Sequence, residues 1–355
     1  MSWASDLTDN LLLAADFLGH GSAHQGTLFN KRKVRALARQ TRFKPETNRR
    51  EFPILDSTVT PEIFRTATQN YRNPVVVRGV LTGSAAVERW TADYLGEICG
   101  DDKYRMVSNG DTDDIVGGDV QFTEGTVRDL TSALATGVDH RYLAGVSQIF
   151  IDHRELLDDL ELERLYALLG EAALRKRFDA MNMFIGGPKT RSRMHCAFAG
   201  NFFVNIVGRK RWKLLPPHYR HLMLPVPARP FIYSMTYFDP LDADPARSTF
   251  AQGLPYYDVV LEPGDVLYNG PWWWHQVENL ERLNVGCAIR LGQWAADYRN
   301  NATFTMLSVQ PRLYALKVVY LLERLMKRHE KDFRTYLLEF LSRQQLRRTQ
   351  KFQEH

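Results

Sequence analysis

Two histidines lie in short motifs that could make them ligands of one metal ion. His195 lies in the run Ser192-Arg-Met-His-Cys-Ala197, and His275 ends the run Gly270-Pro-Trp-Trp-Trp-His275. A neutral imidazole is a common ligand for iron, zinc and copper. A histidine beside three tryptophans is nevertheless more often a packed core residue than a ligand. The motifs therefore indicate metal chemistry only if the fold brings them together.

The chain around both histidines is typical of β structure. Residues 181–295 carry aromatic and β-branched runs broken by Gly and Pro, which predicts an antiparallel barrel or sandwich. Within it, residues 195–217 form two extended segments joined by a tight turn at 207–209. Since side chains alternate along a strand, one face is predicted to carry His195, Ala197, Ala199, Asn201 and Phe203. Cys196 then points to the opposite face, which argues against it as a ligand.

Lys210 begins the return strand of this pair. If the lysine points inward, it needs an anion, because an unpaired buried ammonium is costly. If it points outward, it is an ordinary turn residue in water. Composition alone favours the exposed alternative.

The flanking sequence predicts three parts. Residues 1–50 read as a basic arm with a short helix at 7–18, residues 51–300 as the β-rich domain, and residues 301–355 as an amphipathic helical segment. Inside the domain, the sequence predicts a helix with Thr60 as its N-cap and Pro61 at its first position, a strand over 75–77 and an acidic helix from Glu155 to Leu169. The apolar stripe of the last segment either covers the domain's own core or forms a homodimer contact.

Composition and charge limit the class of protein. The formal charge of +5, from 46 basic and 41 acidic residues, is too small to indicate nucleic-acid binding. The sequence holds no apolar run of the roughly 20 residues that span a bilayer. Its three cysteines are far apart and odd in number, which fits a reducing, cytoplasmic setting rather than a disulfide framework.

Both histidine motifs resemble a known family. Residues 195–217 resemble the metal-binding strand pair of the JmjC and cupin-like Fe(II)/2-oxoglutarate oxygenases, and most closely the asparaginyl-hydroxylase branch, with its Asn-Phe-Phe, Gly-x-Lys-Arg and Pro-Pro pattern. Residues 264–275 resemble the family's second metal motif. The resemblance spans about 52–295 and is specific in these two motifs. It implies a double-stranded β-helix, or jelly roll, with an N-terminal α/β elaboration and C-terminal helices.

The resemblance also implies roles for single residues. His195 and His275 match the two histidine ligands of Fe(II). Lys210 matches the lysine that binds the distal carboxylate of 2-oxoglutarate, so the resemblance implies that Lys210 points inward rather than into water. Three further co-substrate contacts are expected at Asn201, Ser192 and Tyr142. The implied cofactors are Fe(II), 2-oxoglutarate and O2.

The sequence departs from the family where the third metal ligand belongs. The carboxylate of the 2-His-1-carboxylate face is replaced by Ala197, which opens a further coordination position. In the first alternative, chloride fills that position and the protein is a halogenase; the small Ala199 and Gly200 would leave room for it. In the second, the protein is a hydroxylase with a two-histidine iron site. In the third, it is a non-catalytic binding or scaffold protein.

The substrate is less defined than the reaction. Arginines crowd the metal strands, and Arg193 and Arg290, with Trp273, are the candidate substrate contacts. They favour a small-molecule, amino-acid or peptide substrate with an anionic or carrier-bound group, although exposed turn arginines are an equal alternative. The segment from His218 to Tyr257 is expected to cover the pocket.

Overall fold

The chain divides into a compact unit of residues 1–308 and a second unit of residues 309–355. The computed structural model describes residues 3–20, 49–108, 121–137, 141–170, 180–188, 190–226, 232–236 and 254–308. Residues 21–48 of the predicted basic arm and residues 309–355 of the predicted C-terminal helical segment lie outside these residues.

Helices mostly precede the β-rich part of the chain. They are α1 (Trp3–His20), α2 (Pro61–Ala67), α3 (Ala85–Arg89), α4 (Ala92–Cys99), α5 (Val127–Thr136), α6 (Ile149–Asp152), α7 (Arg154–Asp159), α8 (Glu163–Leu169), α9 (Trp294–Asn300) and α10 (Ala302–Ser308). The predicted start of α2 is confirmed, because the side chain of Thr60 accepts a hydrogen bond from the N–H of Ile63 and Pro61 holds the first position.

The strands follow in two groups. They are β1 (Arg49–Arg50), β2 (Ile54–Leu55), β3 (Val75–Val77), β4 (Lys103–Val107), β5 (Phe122–Thr126), β6 (Tyr142–Val146), β7 (Ala180–Gly186), β8 (His195–Ala197), β9 (Gly200–Val207), β10 (Lys210–Leu215), β11 (Pro225–Val226), β12 (Tyr233–Thr236), β13 (Tyr256–Leu261), β14 (Val266–Asn269), β15 (Trp274–Asn279) and β16 (Asn284–Leu291).

Two sheets face each other as a jelly roll. The first sheet has the order β1-β13-β10-β15-β8-β12-β11, and the second β2-β3-β14-β9-β16-β7-β6-β4-β5. From β8 onward the chain crosses repeatedly between the sheets, so that β8, β10, β13 and β15 lie in the first and β9, β14 and β16 in the second. This arrangement is the double-stranded β-helix that the resemblance implies, and the predicted fold class is confirmed.

Alternation along the strands separates an interior from two outer surfaces. Phe203, Trp212 and Leu267 belong to a cluster between the sheets. Side chains of the opposite parity on the second sheet, such as Phe202, pack against the helices. On the outside of the first sheet, Cys196 lies in a third cluster, as its predicted orientation requires. The interior therefore receives the residues of the predicted metal face.

Three predicted elements differ in the structure. The acidic helix is broken into α7 and α8 at Glu161, whose φ of 45° lies in the left-handed region. Helix α1 is longer than predicted and buries Leu13 in the third cluster, so this part of the basic arm packs onto the domain. The segment predicted as one strand from His195 to Phe203 is two strands, β8 and β9, in different sheets.

The chain crosses between the sheets at Phe198 and Ala199. Ala199 has a φ of 68°, and its N–H donates to Oδ1 of Asp297 over 2.8 Å. The carbonyl of Ala197 accepts from the N–H of Trp272 over 2.9 Å. Gly200 has no room for a side chain on the helix-facing side of β9, because a Cβ there would meet the hydroxyl of Tyr268 at 2.5 Å. The expected space beside the metal lies on the other face and stays a prediction.

Two further observations concern the whole domain. Cys99, Cys196 and Cys287 are all buried and none forms a disulfide. Among the described residues, no helix combines the length and apolar character needed to cross a membrane.

Candidate metal centre

The two predicted ligands are brought together by neighbouring strands of the first sheet. His195 on β8 and His275 on β15 are direct cross-strand partners. Their ring centroids lie 4.1 Å apart, with 53° between the ring planes. Trp212 of β10 stacks on His275 from the other side, at 5.5 Å and 17°. The pair therefore projects into the interior and is held from one side by an indole.

Backbone carbonyls fix the orientation of both imidazoles. Nδ1 of His195 lies 2.6 Å from the carbonyl oxygen of Arg193, and Nδ1 of His275 lies 2.8 Å from that of Trp273. A carbonyl only accepts, so each Nδ1 is assigned the proton. At His275 this assignment means that the amide nitrogen of Asn269, 3.0 Å from the same Nδ1, does not donate to it. Each Nε2 then keeps its lone pair, which is the tautomer a metal ligand needs.

Burial keeps both histidines neutral. It lowers the pKa of His195 to about 4, and the nearby Arg290 cation acts in the same direction. Burial also lowers the pKa of His275 well below its ordinary value, with further contributions from His195 and Arg290. Protons therefore do not compete for either Nε2 at neutral pH.

No carboxylate side chain of the described residues completes the pair. Among the residues that the structure describes, no group of three or more His, Cys, Asp or Glu side chains could hold a metal ion. The cross-strand partner of Ala197 is Tyr233 on β12, and the Tyr233 ring lies 5.0 Å from that of His195. A phenol thus lies beside the position where the family has its carboxylate.

Lys210 is buried inside the barrel, with 1% of its surface exposed. Its Nζ donates to Oδ1 of Asn279, and the amide of Asn279 donates to Thr190 Oγ1 over 2.6 Å. No described carboxylate pairs with the ammonium, and burial lowers the pKa of Lys210 to about 7. The exposed alternative for Lys210 is therefore wrong.

Lys210 and the histidines lie on one interior wall. His275 and Asn279 are four residues apart on β15, and Lys210 is the cross-strand partner of Asn279. At roughly 3.3 Å per residue, the backbones of His275 and Asn279 are about 13 Å apart along β15. Lys210 and His275 thus occupy the same inward face at different heights.

Two further predicted co-substrate contacts border this wall. The Oγ of Ser192 accepts from the N–H of Val277 over 3.0 Å, midway between His275 and Asn279, and keeps its own proton to donate. The ring of Tyr142 comes from the second sheet. The side chains of Tyr142, Asn279 and Thr190 all pack against Gly186. A Cβ built on this glycine would lie within 2.7 Å of each of them. Tyr142 therefore lies at the Lys210 end of the interior.

The second sheet contributes a polar row that faces the histidines. Asn269, Asn201 and Arg290 are successive cross-strand partners on β14, β9 and β16. The amide of Asn269 lies 3.0 Å from Nδ1 of His275, which places this row against the metal ligands. Oδ1 of Asn201 is buried without a partner among the described residues.

The other two predicted substrate contacts differ in position. Arg193 donates to the carbonyl of Thr236 over 3.1 Å, at the edge of the same interior. Trp273 is 5% exposed, lies in the interior cluster and donates its indole N–H to the carbonyl of Arg72. The indole of Trp273 thus serves packing, and its carbonyl orients His275.

Sequence reasoning missed Tyr233 and Asn279. Tyr233 comes from the segment expected to cover the pocket, and only the pairing of β12 with β8 brings it beside Ala197. Asn279 lies four residues after His275, on the same face of one strand. The alternation of side chains along the strand that begins near His275 would have placed Asn279 on the same face as His275.

The fold and the paired histidines define a jelly-roll protein of the cupin type. The family model described as "Cupin-like domain" matches residues 61–289. The chain therefore belongs to this family, within the JmjC and cupin-like Fe(II)/2-oxoglutarate oxygenases. The asparaginyl-hydroxylase branch stays a prediction.

Similar proteins carry several names. The chain is 22% identical over 242 residues to Lysine-specific demethylase 8 of Xenopus tropicalis, covering 64% of this chain and 52% of the relative. It is 26% identical over 132 residues to Lysine-specific demethylase JMJ30 of Arabidopsis thaliana, covering 37% and 29%. It is 26% identical over 242 residues to tRNA wybutosine-synthesizing protein 4 of Gibberella zeae, covering 64% and 22%. The chain thus spans about half, or less, of the length of these relatives.

Proposed function

We propose that the protein is an Fe(II)- and 2-oxoglutarate-dependent oxygenase that oxidises an unactivated C–H bond, with iron held by His195 and His275. The observation that carries the proposal is the shared interior of two neutral, cross-strand histidines and a buried lysine without a described acid partner. A buried ammonium is stable only when an anion pairs with it. The distal carboxylate of 2-oxoglutarate is such an anion.

The residues fit these cofactors at both ends. Both Nε2 lone pairs are available to iron, and Lys210 has donors to spare after its bond to Asn279. Iron and 2-oxoglutarate, when bound with O2, supply an oxidant strong enough for a C–H bond. If 2-oxoglutarate binds here, Lys210 and Tyr142 would hold its distal carboxylate, Ser192 would donate a hydrogen bond to it, and Asn201 would contact it from the second sheet.

The environment of the site also excludes water. Trp212 covers one face of His275, and Phe203 packs edge-on against Trp212 at 4.8 Å. Such an apolar wall protects an oxidant from side reactions. Tyr233 and Arg193 border the opposite side, where the substrate is proposed to enter.

Halogenation is the second candidate reaction. Its support is Ala197, which leaves the metal without the anionic ligand of the family, next to the cationic Arg290. In this candidate, chloride takes the vacated position. If so, chloride shifts the visible spectrum of the protein loaded anaerobically with Fe(II) and 2-oxoglutarate, whereas a spectrum insensitive to chloride favours hydroxylation.

The substrate class follows from the relatives only by analogy. The names of two relatives, both lysine-specific demethylases, point to protein substrates. The name of a third relative refers to tRNA, but the small formal charge of +5 does not favour nucleic-acid binding. We therefore propose an amino-acid or peptide substrate, or a small molecule.

Anaerobic equilibrium dialysis with Fe(II) and labelled 2-oxoglutarate tests the proposal. We expect one equivalent of each on the wild-type protein, loss of iron in His195→Ala and His275→Ala, and loss of 2-oxoglutarate in Lys210→Met. His153→Ala is the matched control, because His153 pairs with Asp102 outside the site. Unchanged iron in both ligand variants would place the metal elsewhere, and no iron on the wild type would favour a non-catalytic binding protein.

A further inference from the structure

Tyr233 of β12 lies on the inward face of the first sheet. It is the cross-strand partner of Ala197. Cross-strand partners point to the same side of a sheet, and Ala197 shares its side with His195, two residues earlier on β8. The next residue, Ser234, pairs instead with Cys196, whose side chain packs outside the sheet. The side chain of Tyr233 therefore faces the interior.

The ring of Tyr233 leans past Ala197 towards a predicted metal ligand. Its centroid lies 5.0 Å from that of His195, with 40° between the ring planes. This contact is diagonal across the two strands, a distance that an aromatic side chain is long enough to span. Ala197 has only a methyl group on this face, so the phenol has the place that a longer side chain at position 197 would take.

The hydroxyl of Tyr233 points into the space between the sheets. It lies within electrostatic range of the guanidinium of Arg290 on β16 and of the phenol of Tyr142 on β6, both of which belong to the second sheet. Tyr233 is half-buried, and its hydroxyl forms no hydrogen bond with the residues that the structure describes. This oxygen is therefore available to a ligand in the interior.

A phenol oxygen can bind iron as an anion. Tyrosine is the axial ligand of haem iron in some proteins, and a bound metal ion favours loss of the proton from a group that coordinates it. Asn201, Asn269 and Arg290 also lie beside the histidines, but an amide or a guanidinium does not supply an anionic ligand. Among the described side chains around the pair, Tyr233 is thus the one suited to replace the family's carboxylate.

We infer that Tyr233 is a third iron ligand, and that its phenol oxygen takes the coordination position that Ala197 leaves vacant. The inference rests on the proposed function, because it requires iron on His195 and His275. When the oxygen forms its bond to iron, the phenol proton leaves to the solvent. A third protein ligand leaves no place for chloride beside Ala197, so the inference favours hydroxylation over halogenation.

The test uses iron alone as the probe. The protein is loaded anaerobically with Fe(II) without 2-oxoglutarate, and the bound metal is oxidised to Fe(III) with ferricyanide, which is then removed. A phenolate on Fe(III) gives a visible charge-transfer absorption, and resonance Raman excitation within that absorption enhances the ring vibrations of the bound phenolate. Tyr233→Phe removes the hydroxyl and keeps the ring. Tyr142→Phe is the matched control, because it removes an interior phenol at the Lys210 end.

We expect the absorption and the phenolate vibrations, normalised to bound iron, in the wild type and in Tyr142→Phe, and neither in Tyr233→Phe. Equilibrium dialysis should also show that Tyr233→Phe binds Fe(II) more weakly by roughly tenfold or more. An iron-loaded wild type without phenolate vibrations, or a Tyr233→Phe variant that keeps them, would overturn the inference. Thermal unfolding of each variant verifies that it is folded.

Failure of this inference is distinguishable from failure of the proposed function. If the wild type binds iron that is lost in His195→Ala and His275→Ala, but shows no phenolate vibrations, only the role of Tyr233 is wrong. If the wild type binds no iron, the proposed function fails and the inference fails with it.

Discussion

At the scale of single residues, burying the charged Lys210 costs folding free energy. The proposed binding of 2-oxoglutarate explains why a lysine stands there. The ammonium is buried against Asn279, and its Nζ lies over the ring of Phe203 at 5.9 Å from the ring centroid, with no described acid as its partner. Such a residue weakens the metal-free fold and is kept for an anionic ligand. Stability and binding should therefore change in opposite directions when Lys210 is replaced.

We predict that Lys210→Met raises the free energy of unfolding of the metal-free protein by about 1–3 kcal/mol. The gain is smaller than that of removing the buried charge alone, because Asn279 loses its hydrogen-bond donor. The same change should abolish 2-oxoglutarate binding. Urea unfolding and calorimetry measure the two effects. Lys213→Met is the control on the outward face of the same strand. Loss of stability in Lys210→Met, with 2-oxoglutarate still bound, would mean that the lysine is structural.

The pKa of Lys210 makes a second prediction. With a pKa of about 7 in the empty site, the lysine is charged below pH 7 and increasingly neutral above it. Binding of a dianion needs the charged form, so above pH 7 the protein must take up a proton as 2-oxoglutarate binds. The affinity should then fall by up to roughly tenfold per pH unit between pH 7.5 and 9.

Calorimetry in buffers of different ionisation enthalpy measures both the affinity and the proton uptake. Lys210→Arg is the matched variant, since a guanidinium stays charged throughout this range. Its affinity should be nearly independent of pH. An equally steep decline in Lys210→Arg would assign the pH dependence to another group.

At the scale of elements, the crossing between β8 and β9 sets the geometry beside Ala197. The strand ends at Ala197 because Asp297 and Trp272, both distant in sequence, hold the backbone at Ala199 and Ala197. Alternation correctly predicted the faces of His195 and Cys196. It could not predict the break, since Trp272 lies 75 residues after Ala197 and Asp297 lies 98 residues after Ala199.

Gly200 opens β9 in close contact with Tyr268. We predict that Gly200→Ala destabilises the fold by about 1–3 kcal/mol, because the new Cβ would meet the Tyr268 hydroxyl at 2.5 Å. Tyr268→Phe removes that hydroxyl and its bond to the carbonyl of Tyr71. In the double variant, part of the clash should be relieved, and urea unfolding should give a coupling energy of at least about 0.5 kcal/mol. Strictly additive effects would show that Gly200 does have space.

The sequence predicted the site residues that lie within one motif better than those that come from separate segments. His195 and Lys210 lie in one continuous motif, residues 195–217, so spacing and resemblance were enough to place them. Tyr233, by contrast, reaches the site only through the pairing of β12 with β8, and Leu13 shows the same for α1. Contacts that depend on distant pairing leave no local signal in the sequence.

At the scale of the whole molecule, each of the two sheets contributes a different part of the proposed site. The first sheet carries the histidines and Lys210, and the second carries Asn201, Arg290 and Tyr142. Among the described residues, these polar side chains lie beside an apolar cluster that includes Phe203 and Trp212. Lys210 and Arg290 have no acid partner there, which favours a fold that binds anionic ligands.

The central claim is that two histidines hold Fe(II) without a carboxylate while Lys210 holds 2-oxoglutarate. Its most direct test is the visible charge-transfer absorption that appears when 2-oxoglutarate is added to the Fe(II)-loaded protein in the absence of oxygen. We predict a band in the wild type and in Lys213→Met, and none in His275→Ala or Lys210→Met, with all four proteins folded by circular dichroism. A wild-type protein that gives no band, or a band that persists in His275→Ala, would contradict the account.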